Sequence, residues 1–355
     1  MVCVRCLTYN QVRYIEETLA GFCIQIVDYP ILICIVDDAS SDGESELLKK
    51  WAQTNLLFEK ENAYSKYMSY GEVLFGQHKG NKNIFFAITL LFENHKQAGK
   101  SKLPYCEIWD KKAKYTAKCE GDDYWIDPYK LSKQVTYMEE HLNCAMCYTK
   151  ARICYHGKVY GTWGGAEHSF SYILNHGIIP TLTRLERRSY KEMYIDEVKP
   201  FSRGWLMSDL SDVLYYSLKN SIGFINDYTA VYRILDESAS HSKDITKLFR
   251  FYDSADEIRY FFVNNYIEDN EEKKQLASMI KRNEVNYKLY QYSYRFMIVE
   301  MSTFLKENGK YLTRAERIRF KLMSSSKLLS PMIIYFFGLK KNIRNWFKMI
   351  YLKMR

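Results

Sequence analysis

The stretch Ile31-Leu32-Ile33-Cys34-Ile35-Val36-Asp37-Asp38-Ala39-Ser40-Ser41-Asp42-Gly43 passes from apolar to acidic in one step. Its first six residues are all apolar, and Ile31, Ile33, Ile35 and Val36 are β-branched. A run without polar alternation reads as a strand covered on both faces, the habit of parallel sheets. The acidic turn stops the strand and leads into a helix over about Glu44–Trp51. The same unit recurs on either side. Cys3–Leu7 is a short apolar run closed by Thr8-Tyr9-Asn10, after which Val12, Ile15, Leu19, Phe22 and Cys23 recur at helical spacing. Lys114–Cys119 predicts another strand, stopped by Glu120-Gly121-Asp122-Asp123. Pro128 opens a helix to about His141, where a missing N–H is tolerated, and Cys144–Tyr148 predicts the next strand. This rhythm predicts an α/β fold: a mostly parallel, Rossmann-like sheet flanked by helices. From about Lys243 the strand signals give way to helical patterns such as Leu276-Met279-Ile280 and Phe296–Leu305. The expected division is a catalytic domain over 1–240 and a helical C-terminal region over 241–355.

Composition narrows the class. With 355 residues and 47% apolar content, wholesale disorder is excluded, and the low Gly and Pro counts exclude fibrous classes. Nine cysteines, an odd number without framework spacing, fit a reducing compartment. Cys144-Ala-Met-Cys147 lacks the second ligand pair that zinc would want. The N-terminus reads as a strand rather than a signal peptide, and the apolar segment Leu328–Leu339 is too short to span a membrane. A cytoplasmic protein is therefore expected. The formal charge of +9 is concentrated at one end: Arg314–Arg355 holds eleven Lys and Arg against Glu316 alone. The remainder is close to neutral, so nucleic acid is not the expected partner. Ile343, Trp346, Phe347, Ile350 and Met354 recur at helical spacing among these basic residues. Such a tail suits an anionic membrane surface, and docking on the body or on a partner subunit is the competing reading.

Three acidic clusters follow strand or helix boundaries: Asp37-Asp38, Asp122-Asp123, and Asp209 with Asp212. Ligands of open α/β sheets bind at the carboxyl ends of strands. Carboxylates converging there repel one another unless a divalent cation or a donor-rich ligand intervenes. All-oxygen donors favour Mg²⁺ or Mn²⁺. Turn and N-cap chemistry explains either pair taken alone equally well.

Taken in order, Thr8-Tyr9-Asn10, Gln25, Asp37-Asp38-Ala39-Ser40-Ser41-Asp42-Gly43 and Glu120-Gly121-Asp122-Asp123-Tyr124-Trp125 resemble family 2 inverting glycosyltransferases of the GT-A fold. Trp163-Gly164-Gly165, Thr181–Arg188, Ser208-Asp209-Leu210, Tyr232-Arg233 and Ser238–His241 continue the likeness over roughly residues 1–241. The resemblance implies an enzyme that moves a sugar from a nucleotide-sugar donor to an acceptor hydroxyl with inversion, in surface polysaccharide or lipid-linked glycan synthesis. It assigns Thr8 and Tyr9 to the nucleotide pocket, and Asp38 with Asp37 to the base and ribose. A carboxylate accepting from a uracil imide favours UDP. It places Asn83 before a helix near the nucleotide. Asp122 and Asp123 match the metal and diphosphate region, Asp123 foremost, for Mn²⁺ or Mg²⁺. Glu120 stands where the commonest form has Asp, and Leu7 where it has Pro. Asp209 matches the general base. Arg233 and His241 match a mobile loop over the diphosphate, His241 as a metal or phosphate ligand or as a plain surface residue. Trp163 is open between a sugar contact and packing. Arg184, Arg187 and Arg188 are expected in solvent, one of them within reach of phosphate. The likeness also implies a glycan or lipid-linked acceptor and, with the tail, a peripheral position at the inner face of the cell membrane.

Two alternatives stand beside this reading. One is a catalytically silent nucleotide-sugar-binding or assembly protein on the same fold. The other, a dinucleotide oxidoreductase, is disfavoured because Thr8-Tyr9-Asn10-Gln11 replaces the Gly-x-Gly-x-x-Gly expected after the first strand.

Overall fold

The computed structural model describes residues 1–58, 64–177, 179–235 and 242–324. Within them the chain forms two compact units, one of 1–170, 178–199 and 215–234, the other of 171–177, 200–214 and 235 onward. The helical unit thus takes in segments from before residue 240.

The first unit is built on one sheet, with twelve strands among the described residues. In chain order its elements begin with β1 (Val2–Thr8), α1 (Ile15–Cys23), β2 (Ile31–Asp37), α2 (Glu44–Asn55) and β3 (Leu56–Leu57). A meander follows: β4 (Tyr64–Met68), β5 (Gly71–His78) and β6 (Ile84–Leu91), then α3 (Leu103–Asp110). Next come β7 (Tyr115–Lys118), β8 (Tyr124–Trp125), α4 (Lys130–Glu140), β9 (Met146–Tyr155) and β10 (Lys158–Trp163). α5 (Phe170–His176) groups almost wholly with the second unit. β11 (Leu185–Arg187), α6 (Arg188–Val198), α7 (Ser208–Leu218) and β12 (Ile222–Ile234) complete the α/β portion.

The strand order is β3-β5-β6-β2-β1-β7-β11-β9-β12-β8, with β4 on β5 and β10 on β9. β6, β2, β1 and β7 are mutually parallel, and β9 and β12 are parallel to each other. β11 is antiparallel to both its neighbours. The apolar run that opened the sequence is β2, buried at every position, as a strand with helices on both faces must be. One core cluster lies on the side of α1 and α4, with Ile33, Ile35, Phe22 and Leu131; the other lies under α3, with Cys34, Val36 and Cys106. All nine cysteines are free thiols, eight of them buried, so the Cys144–Cys147 pair is core material.

The second unit contains α8 (Ile245–Tyr266), α9 (Asn270–Tyr294), α10 (Ile298–Asn308) and α11 (Arg314–Ser324). Asp244 caps α8 and Asp269 caps α9, each carboxylate accepting from first-turn N–H groups. Val285, Leu289, Met301, Leu305 and Phe320 form a separate core. No described helix is long and apolar enough to cross a membrane. The basic tail pattern and Leu328–Leu339 lie outside the described residues.

Candidate active site

Parallel pairing brings the acidic loops together. Thr8 at the end of β1 is in register with Asp37 at the end of β2. Past β7 the chain crosses the end of β1, where Cys119 N–H donates to the Arg5 carbonyl (3.1 Å) and Gly121 N–H to that of Leu7 (3.2 Å). The approach is close enough that a Cβ on Gly121 would collide with the side chains of Thr8 and Gln11. Thr18 of α1 holds the loop from below, its hydroxyl 2.9 Å from the Gly121 carbonyl and 2.7 Å from that of Asp123.

Asp122 and Asp123 are the chemically poised groups in this loop. Burial drives the Asp123 carboxyl well above the ordinary range, and the charges of Asp122 and Glu120 push it further. Burial also raises Asp122. One Asp123 oxygen accepts from the Arg233 N–H (2.8 Å). The donor set around the remaining oxygens is hard carboxylate, which fits a divalent cation. Among the described residues, no three acidic, His or Cys side chains form a ready-made cage.

The other expected contacts divide. Thr8 is buried, its hydroxyl on the Glu44 carboxylate, while Tyr9 is half-buried beside it. Asp37 accepts from Ser40 and Ser45, and burial raises its carboxyl. Asp38 accepts from the N–H groups of His95 (2.7 Å) and Lys96 (3.3 Å) and from the Lys102 ammonium (2.8 Å). Although burial opposes its charge, these donors hold it below the ordinary range. Both carboxylates therefore fix loops here.

Three expectations need correcting. Asn83 precedes β6, not a helix, and its side chain donates to the Val27 carbonyl (2.7 Å). Ile84 pairs with Ile31, so Asn83 sits at the end of the sheet opposite Thr8 and Asp37. Arg233 belongs to β12 rather than to a loop beyond it. Its guanidinium pairs with Glu17, donates to the Asp122 carbonyl, and lies 5.1 and 4.3 Å from the ring centres of Tyr14 and Tyr124. Burial lowers it to about 10, so it stays cationic at neutral pH. Of the arginines expected in solvent, Arg184 and Arg187 are buried and donate to backbone carbonyls, and Arg188 pairs with Asp110 (2.6 Å). Trp163, which the sequence left open between a sugar contact and packing, lies edge-on against Tyr232, ring centres 5.0 Å apart.

Asp209 occupies the first turn of α7 and is half-buried; residues 208–214 of that helix group with the second unit. His241 lies outside the described residues. Sequence reasoning missed Gln11, Thr18, Glu44, His95 and Lys102. Glu44 was visible only as the start of a predicted helix, and nothing local marks Lys102, 64 residues from Asp38.

No family model matches the chain. Uncharacterized proteins from Mycobacterium bovis and Mycobacterium tuberculosis are 30% identical over 161 residues, 42% of this chain and 34% of theirs. The chain thus spans about a third of the length of the curated relatives it matches. Among solved structures, S. aureus TarS 1–349 with UDP-GlcNAc superimposes with a TM-score of 0.54 at 16% identity, covering 98% of this chain and 90% of that one. The same protein with UDP gives 0.52 at 15% identity, covering 100% and 92%. The chain has a GT-A-like glycosyltransferase fold, a large mostly parallel sheet flanked by helices, with C-terminal helices added.

Proposed function

We propose that this chain is an inverting glycosyltransferase of the family 2 type, using a nucleotide-sugar donor, UDP-linked, and an acceptor hydroxyl on a glycan or lipid-linked glycan. The observation that carries the reading is the Asp122-Asp123 loop past the end of β7: a half-buried Asp122 beside a buried Asp123 that its neighbours' charges strain, anchored by Arg233. Glycosyl transfer with one base and no enzyme nucleophile inverts the anomeric centre. Asp209, at a helix start, is the base that takes the acceptor proton as the hydroxyl attacks. Asp122 and Asp123 would hold Mn²⁺ or Mg²⁺, which when bound offsets the charge developing on the departing diphosphate. Gln11, which hydrogen-bonds Asp122, and Thr18 keep the acidic loop in place, so that donor binding does not have to order it. Tyr9 borders the nucleotide, in the loop whose backbone Thr8 and Glu44 fix. The neighbours' UDP and UDP-GlcNAc make uridine nucleotides the donors to test first. Action at the inner face of the cell membrane, with the basic tail as the contact, belongs to the same reading.

The test separates binding from chemistry. Asp209→Asn is expected to lower transfer at least about a thousandfold while UDP-sugar affinity stays within about twofold. Full turnover in that variant would remove Asp209 from the base role.

A further inference from the structure

The edge of the sheet beside the candidate site leaves two large rings in water. Tyr67 of β4 is 70% exposed and Phe92, just past β6, is 61% exposed. Their planes are 18° from parallel and their centres 6.3 Å apart. The two near-parallel rings are thus neighbours with most of their surface in water. Exposed apolar surface gathered in one place marks a binding surface more often than scattered single residues do.

The surroundings point to one kind of occupant. The Lys49 ammonium lies 5.8 Å from the Tyr67 ring centre and pairs with Glu72 at 2.7 Å. Ser65 donates to the other Glu72 oxygen (3.1 Å). The Lys49 charge beside the rings is therefore balanced by Glu72, which is itself buried. Phe92 also opens the segment that closes on Asp38, for Asn94 donates to the Asp38 carbonyl (3.0 Å) and His95 N–H to its carboxylate (2.7 Å). The patch is thus continuous with the candidate site along the chain.

We propose that Tyr67 and Phe92 form a stacking platform for a pyranose ring of the acceptor glycan, with the Lys49 ammonium meeting its hydroxyls. The axial C–H bonds of a pyranose carry partial positive charge and suit the negative face of an aromatic ring. Its hydroxyls project at the ring edge, where the Lys49 ammonium, 38% exposed, can donate. A phosphate-bearing polymer would need cations that are not already neutralised, and Lys49 is. The assignment deepens the glycosyltransferase reading and rests on it.

The full chain is tested on an array of immobilised neutral and acidic glycans, as wild type and as a Tyr67→Ser/Phe92→Ser double variant. UDP affinity is measured on both proteins by calorimetry. The wild type is expected to bind neutral pyranosyl glycans, and the double variant to lose at least tenfold of that signal with UDP affinity and melting temperature unchanged. Equal glycan binding by the double variant overturns the platform, as does a wild type that binds no neutral glycan. Sedimentation showing a wild-type dimer and a variant monomer, with glycan binding equal in both, assigns the patch to a second copy instead. Loss of UDP binding in both proteins would contradict the glycosyltransferase reading itself, a different failure from loss of the platform.

Discussion

Arg233 reaches both sides of the acidic loop: its N–H holds the Asp123 carboxylate and its guanidinium holds the Asp122 carbonyl. The side chain is 9% exposed and lies against two tyrosine rings. Replacing it with Met keeps the backbone bond and removes the anchor on Asp122 along with the pair to Glu17. Arg233→Met is expected to weaken Mn²⁺-dependent UDP binding about tenfold, near 1.4 kcal/mol, with Asp123 still in place. Calorimetric titration checks this, and unchanged affinity would make Arg233 a packing residue only. At this scale the sequence showed the acids and not their partners. Asp37, Asp38, Asp122 and Asp123 stand in short motifs with turn chemistry of their own. Lys102 and His95 reach Asp38 only because the fold returns them to it, and Asn83 was drawn toward the site by a short motif that pairing carries to the far end of β6.

Strands and helices were legible where burial is uniform along the element. β1, β2, β7, α4 and the start of β9 follow the runs and stops of the sequence closely. The meander β4–β6 did not emerge, because short apolar runs fit strand and helix alike until a pairing partner is known. The segment from Phe92 to Lys102 carries no periodicity and takes its shape from bonds to Asp38. In the second unit, Thr313 and Glu316 make a reciprocal cap at the start of α11: Thr313 N–H donates to the Glu316 carboxylate (2.9 Å) and Glu316 N–H to the Thr313 hydroxyl (3.3 Å). Arg282 of α9 pairs with the same carboxylate at 2.7 Å. These donors, Arg282 foremost, lower Glu316 to about 2 from an ordinary value of 4.5. A carboxyl lowered on folding stabilises the folded state above its unfolded value and loses that contribution as pH falls toward the folded one. Glu316→Gln is therefore expected to melt several degrees below wild type at pH 7, with the gap closing between about pH 4.5 and 2. A gap that persists at pH 2 would mean that shape rather than charge holds α9 to α11.

Over the whole molecule, the basic charge and the candidate site's acids lie in different parts of the sequence. The residues before Arg314 are nearly neutral, and the surplus of Lys and Arg follows them. The parallel core was readable because a continuous apolar strand ending in an acidic turn admits few placements. The grouping of 171–177 and 200–214 with the C-terminal helices was not readable, since it depends on contacts between segments far apart in sequence. Asp209 lies in one of those segments. The most direct measurement is a calorimetric titration of UDP into the full chain with and without Mn²⁺, repeated on Asp122→Asn and Asp123→Asn. The account predicts saturable UDP binding that Mn²⁺ strengthens at least about tenfold in the wild type and in neither variant. No UDP binding in the wild type, or equal Mn²⁺ enhancement in all three proteins, would contradict it.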